Sequence, residues 1–180
     1  MTKKILRQKI LRLRKLKYDK NFSIKISKIY KILKKHKYNN PSIGGYIEVN
    51  YEIKCIEVLK ELEKKKFKIS LPKIKKNSQM EFSRWSFKYP LVLNSFGIPE
   101  PKENNFILPD ILLVPIVAFD KDKYRIGYGG GYYDRYIEKV KKKKKILTIG
   151  FAFSFQQINK VPTNLYDKKL DYIITEKKII

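Results

Sequence analysis

The spacing of hydrophobic positions changes along the chain, and each change marks an element. From Thr2 to about Leu16, Leu6, Ile10 and Leu13 fall on one face at helical spacing, with Thr2 placed as an N-cap. A second helical pattern covers about Ser23 to Lys35, with Ile26, Ile29, Ile32 and Leu33 apolar, and Asn39-Asn40-Pro41 breaks it. Ile43–Val49 reads as a strand through two glycines, and Glu52–Lys65 returns to helical spacing with Ile56, Leu59 and Leu62 inward. Phe67–Pro72 reads as a short strand ended by its proline, Met80–Phe87 as a hairpin-like stretch, and Gly97-Ile98-Pro99-Glu100-Pro101 as a loop. Asp110–Phe119 is a continuous apolar run, the pattern of a strand covered on both faces. A glycine loop follows, then a helix from about Tyr132 to Lys141, a buried strand Ile146–Phe153 and a short strand Asp171–Thr175. Strands alternating with helices predict an α/β fold, a three-layer α/β/α sandwich with a mainly parallel sheet. No linker divides residues 1–180, so a single domain is expected.

Charge changes the picture next. The 180 residues carry 42 Lys+Arg against 17 Asp+Glu, a net charge of +25. Such a charge suggests phosphates, and nucleic acid first. Yet arginine stands only at 7, 12, 14, 84, 125 and 135, and lysine is the hydrated point charge rather than the planar, bidentate fork. Alanine occurs only at 118 and 152, whereas Ile, Lys, Tyr, Asn and Phe abound, a bias that AT-rich coding would produce. A solvated lysine coat accounts for most of the charge. The chain shows no helix-turn-helix, zinc-finger or RNA-recognition signature, so nucleic acid is not the expected partner.

Other chemistry is narrowed by what is scarce. Cys55 is the single cysteine and His36 the single histidine, which disfavours a disulfide framework, a Ser-His-Asp triad and a histidine-built zinc site. The longest apolar run, Ile111–Phe119, falls far short of the roughly 20 residues that span a bilayer. The charged first turns lack a secretory core. A cytoplasmic monomer without a membrane partner is expected, working with carboxylates, lysines, arginines, backbone amides and a hard metal.

Phe119-Asp120-Lys121-Asp122-Lys123-Tyr124-Arg125-Ile126-Gly127-Tyr128-Gly129-Gly130-Gly131-Tyr132-Tyr133-Asp134-Arg135 carries the densest chemistry. A buried strand runs into four glycines and a helix starts at once. Glycines allow close backbone approach, and a helix N-terminus offers free N–H groups to an anion. Arg125 adds a full charge at the entrance. Neither a Walker A ending nor the third glycine of a dinucleotide fingerprint is present. Asp134, in the first helical turn, would repel phosphate unless a cation lay between, and Mg²⁺ suits that position. Lys3, Arg7 and Arg14 point within about 40° of one another on the first helix. From spacing alone, that stripe is either a solvated face or a phosphate grip.

Leu108–Arg135, LPDILLVPIVAFDKDKYRIGYGGGYYDR, closely resembles the signature of the 5-formyltetrahydrofolate cyclo-ligase family. Lys3-Lys4-Ile5-Leu6-Arg7 is similar to its opening helix, Tyr46–Glu52 to its substrate segment, and Gly97–Pro101 to its G-I-x-E-P turn. Gly150–Gln157, Pro162, Asp167 and Asp171–Glu176 resemble its closing pattern. Ile126 stands where leucine is usual, and Lys54-Cys55 where an acidic residue and threonine are common.

The resemblance implies ATP- and Mg²⁺-dependent conversion of 5-formyltetrahydrofolate to 5,10-methenyltetrahydrofolate, with release of ADP and phosphate. The formyl oxygen would be phosphorylated and N10 would close the ring. It implies catalytic roles for Arg125 and Asp134. ATP would be held by Lys3, Arg7, Arg125, Ile126, Gly127, Tyr128, Gly129, Gly130, Gly131, Tyr132 and Tyr133. The folate would meet Ile47, Glu52, Met80, Phe82, Phe96 and Tyr132, with Trp85 as a substitute wall. Asp134 and Asp171 would hold the metal.

Overall fold

The computed structural model describes residues 2–75 and 79–180. In chain order its elements are α1 (Lys3–Lys17), α2 (Ile26–Lys35), β1 (Ser42–Gly44), α3 (Ile56–Lys64), β2 (Lys68–Lys75), β3 (Gln79–Trp85), β4 (Leu91–Leu93) and β5 (Pro99–Pro101). Then come β6 (Phe106–Ile107), β7 (Ile111–Pro115), β8 (Ala118–Phe119), β9 (Arg125–Ile126), α4 (Tyr132–Lys141), β10 (Leu147–Phe151) and β11 (Tyr172–Ile174). The main sheet runs β11-β10-β7-β1-β2-β3-β6. Its members from β11 to β2 are parallel, and β3 and β6 extend it antiparallel.

Alternation along β7 explains the layers. Ile111 and Leu113 share a core with α2 (Ile29, Ile32, Leu33) and α3 (Val58, Leu59, Leu62). Leu112 and Val114 face the other way, into a core with Tyr136, Ile137 and Val140 of α4. Successive side chains of a strand point to opposite faces, so a strand covered twice is apolar throughout. The expected three-layer arrangement is observed.

Four local departures from the sequence pattern have physical causes. The apolar run 111–119 is two strands: β7 ends at Pro115, and Ala118–Phe119 pairs with Arg125–Ile126 in a separate hairpin. Both pieces are apolar because α1 buries the second, packing Ile10 against Val117, Ala118, Ile126 and Val161. β1 stops at Gly44, and the following loop supplies Tyr46, Ile47 and Val49 to the cleft described below. The helix expected from Glu52 starts at Ile56, where the Glu48 carboxylate accepts from the N–H groups of Cys55 at 3.3 Å and Ile56 at 3.2 Å. An anion there complements the helix dipole. Pro72 lies inside β2 rather than ending it. Its nitrogen faces the same edge as that of Ile74, which donates to the Glu100 carboxylate at 3.1 Å, so the β2–β3 ladder loses no donor.

The lysine run 141–145 closes α4, where cations suit the dipole, and Lys144 lies 2.5 Å from Asp110. No helix among the described residues is long and apolar enough to cross a membrane.

Candidate active site

A cleft of about 870 Å³ opens beyond the C-terminal ends of β1 and β7, where Tyr46, Ile47 and Pro115 line it. That end of a parallel sheet is where α/β folds place ligands. Its walls divide by chemistry into a cationic, glycine-rich set and an apolar set holding one buried carboxyl.

The first set is assembled by α1. The burial of Ile10 fixes the helix on the β8–β9 hairpin, and Arg7, one turn earlier, reaches the loop that follows β9. Arg7 Nε donates to the Gly127 carbonyl at 2.7 Å. A Cβ on Gly129 would meet the Arg7 guanidinium at 3.4 Å, and Gly129 and Gly131 hold φ of +108° and +66°, where glycine is favoured. Gly131 is the N-cap of α4 and gives it no capping side chain; the Arg135 guanidinium lies over this end, with Nη2 donating to the Gly130 carbonyl at 2.8 Å. Lys3 is ion-paired with Asp167. Arg125, only 7 % exposed, has Nη2 3.0 Å from Asp134 Oδ1, and its Nη1 donates to the Lys168 carbonyl at 3.0 Å. Lys3 and Arg125 thus rest on carboxylates at the cleft, where phosphate oxygens could take over those bonds.

The metal assignment is changed by the geometry. Asp134 lines the cleft, with Oδ1 engaged by Arg125 and by the Lys168 N–H at 3.1 Å. Asp171 does not join it. Asp171 precedes β11, so it lies at the N-terminal end of the sheet, and its Oδ2 accepts from Thr148 N at 2.8 Å and Oγ1 at 2.7 Å. No cluster of three His, Cys, Asp or Glu side chains suited to a metal occurs among the described residues. The donor set fits Mg²⁺ as an ion shared between Asp134, phosphate oxygens and water, the habit of Mg²⁺ in phosphoryl-transfer sites. It does not fit a closed protein cage.

Of the apolar residues expected around a folate, Ile47, Met80 and Phe96 line the cleft, and Phe96 sets its edge against Tyr132 with centroids 6.2 Å apart. Phe82 does not line it. Phe82 is fully buried in the α4-side core, its ring 4.9 Å from that of Tyr136. Trp85 also packs internally, against Phe87.

Glu52 is 4 % exposed on the cleft wall. Oε2 accepts from Val49 N at 2.9 Å, and Oε1 is buried without a hydrogen-bond partner. Burial pushes this carboxyl up to about 7; the Val49 N–H, the Arg14 guanidinium and the Tyr128 hydroxyl pull the other way, and Glu48 adds to the rise. Burial, with the Glu52 charge beside it, raises the Tyr128 phenol to about 12. An unsatisfied buried acceptor on a ligand-sized cleft asks for a donor from the ligand.

Residues not assigned from the sequence complete the walls. Asp167, with Asn164 and Tyr166, comes from a stretch without regular structure; the closing family pattern includes Asp167, but no periodicity marks the stretch as part of a site. Arg14 was visible only as the end of the basic stripe, yet it is completely buried.

Residues 1–176 match the model of the 5-formyltetrahydrofolate cyclo-ligase family. A stretch of 94 residues is 42% identical to the 5-formyltetrahydrofolate cyclo-ligase of Haemophilus influenzae, covering 49% of this chain and 50% of the relative. The Escherichia coli K12 enzyme of that name is 36% identical over 94 residues, 49% of this chain and 51% of the relative. In these alignments the chain spans about half the length of the curated relatives it matches. The solved structure of Aquifex aeolicus 5,10-methenyltetrahydrofolate synthetase superposes with a TM-score of 0.77 at 29% identity, covering 99% of this chain and 92% of that one.

Proposed function

The chain belongs to the 5-formyltetrahydrofolate cyclo-ligase family, and from that membership we propose that it closes 5-formyltetrahydrofolate to 5,10-methenyltetrahydrofolate at the expense of ATP. The observation that carries the reading is the convergence on one cleft of an arginine-braced glycine loop and a buried, half-satisfied carboxyl. One wall suits a polyphosphate and the other a flat ring system with N–H donors.

In this reading Lys3, Arg7, Arg125 and the backbone of residues 126–133 hold the phosphates. Their charges lie where negative charge spreads as the terminal phosphoryl group moves to the formyl oxygen. N10 attacks the activated formyl carbon, the carbon–oxygen bond breaks, and phosphate leaves with the oxygen and the N10 proton. Glu52 accepts N–H bonds from the pterin ring and fixes its register. Ile47, Met80 and Phe96 provide the apolar wall, with Tyr132 edge-on, and exclude water. Asp134 and the phosphate oxygens would hold Mg²⁺, which when bound offsets phosphate charge. A monomer as the working unit is part of this proposal.

Purified protein given 5-formyltetrahydrofolate, ATP and Mg²⁺ should develop the near-UV absorbance of the methenyl product; absence of ATP-dependent product would overturn the reading. Asp134→Ala should lower kcat by roughly 100-fold or more, as expected when a group organising transition-state charge is lost. Arg125→Ala should raise KM for ATP about tenfold while changing KM for the folate less. Near-normal turnover of Asp134→Ala would remove that residue from the mechanism.

A further inference from the structure

Among the described residues Arg14 is the largest completely buried side chain, and no carboxylate lies within ion-pair distance of it. A buried guanidinium without a paired anion is costly, so its surroundings must use it. Its Nη1 donates to the Ile116 carbonyl at 3.2 Å, its Nη2 donates to the Tyr128 hydroxyl, and its Nε has no partner. The guanidinium carbon also lies 5.7 Å from the centre of the Tyr128 ring. Tyr128 belongs to the glycine loop, and its hydroxyl oxygen is occupied as an acceptor by Arg14. Tyr128 and Glu52 line the same cleft, and the phenol favours Glu52 in the anionic form while Glu52 Oε1 keeps no hydrogen-bond partner. Arg7, two turns earlier on the same face of α1, grips the same loop through Gly127.

We infer that Arg14 is a positioning residue: a buried cation on α1 that fixes the Tyr128 hydroxyl on the cleft wall it shares with Glu52 and thereby links the nucleotide loop to the carboxyl that receives the folate. The inference rests on the proposed reaction and deepens it. Arg14 touches neither substrate; it acts through Tyr128 and through its field. With Arg14 in place, Glu52 accepts ring N–H donors as a carboxylate. Without it, Tyr128 is free to turn away and Glu52 stays protonated to higher pH. The groups facing Glu52 are Arg14 from α1, Tyr128 and Tyr133 from the loop and the start of α4, and Tyr46, Glu48 and Cys55 from its own segment. Arg14 is the one fixed cation in that set, so its removal shifts Glu52 in one direction.

The test compares wild type, Arg14→Met, Arg14→Lys, Tyr128→Phe and the Arg14→Met/Tyr128→Phe double variant. The first readout is the carboxyl carbon resonance of Glu52 followed through a pH titration. The second is kcat/KM for 5-formyltetrahydrofolate over the same range. Arg14→Met should move the Glu52 midpoint up by about one pH unit, the size expected for a nearby opposite charge. It should therefore cost about tenfold in kcat/KM below the midpoint, with the loss closing at high pH. Arg14→Lys should recover part of the shift. Tyr128→Phe should move the midpoint in the same direction, and the double variant should shift less than the two single shifts added, because the residues act as one unit.

An unmoved Glu52 midpoint in folded Arg14→Met overturns the inference, as does a loss uniform across pH or strictly additive shifts. Should Arg14→Met fail to fold, Arg14→Lys and Tyr128→Phe carry the same comparison, and an unmoved midpoint in both overturns it. A wild-type protein without ATP-dependent activity would instead overturn the proposed reaction, while the titration would still decide whether Arg14 controls Glu52.

Discussion

Glu52 is a carboxyl that folding pushes toward its neutral form. Its folded value of about 7 exceeds the ordinary 4.5, so the native state binds this proton more tightly than the unfolded chain does. The stability tied to that proton is fully present below 4.5 and is lost as pH rises through about 7. Over that window the loss approaches about 3 kcal/mol. Glu52→Gln removes the titration, so urea unfolding should show the variant gaining about that much relative to wild type between acid and mildly alkaline pH. An equal difference at both ends would mean the carboxyl is not perturbed. Legibility at this scale followed local pattern. Lys3, Arg7, Arg125 and Asp134 each belong to a contiguous signal, a helix stripe or a glycine loop. Phe82 and Met80 share a face of β3, and apolar character does not tell whether a helix or a ligand covers it. Asp171 offered a usable sign: a residue preceding a parallel strand sits at the end of the sheet opposite the ligand crevice.

At the scale of elements, α1 decides whether the cleft is complete. Its start and its apolar stripe were readable to within a residue, because Thr2 caps it and Leu6, Ile10 and Leu13 repeat at helical spacing. What it packs against was not readable. The run 111–119 is apolar for two unrelated reasons, sheet burial in β7 and burial by α1 in β8, and hydrophobicity alone merges them. The strand expected over 43–49 failed likewise, since its latter half is apolar for the sake of the cleft and α3 rather than the sheet. Ile10→Ala removes the anchor between α1 and the hairpin. It should cost roughly 2–4 kcal/mol in thermal or denaturant unfolding, as large-to-small core changes do. Because Arg7 rides on the same helix, KM for ATP should also rise several-fold at a temperature where the variant remains folded. A destabilised variant with an unchanged KM for ATP would show that Gly127 alone aims Arg7.

At the scale of the molecule, the charge of +25 and the cleft are two levels of one arrangement. Lys3, Arg7, Arg125 and Arg135 line the cleft, and the remaining basic residues make a field around it. Composition shows the size of that field but not its focus, which depends on helices and loops distant in sequence. Both proposed substrates are anions, so the field should raise their encounter rate more than it assists the bound reaction. Raising ionic strength from near zero to roughly 0.3 M shortens screening to within a few ångströms and should lower kcat/KM for ATP and for the folate several-fold. Lys3, Arg7 and Arg125 act at contact distance, where screening is weak, so kcat should change by less than about twofold. A parallel fall of kcat would place the salt-sensitive charges inside the reacting complex. An insensitive kcat/KM would make the lysine coat a bystander to catalysis and leave the cleft cations as the functional part of the charge.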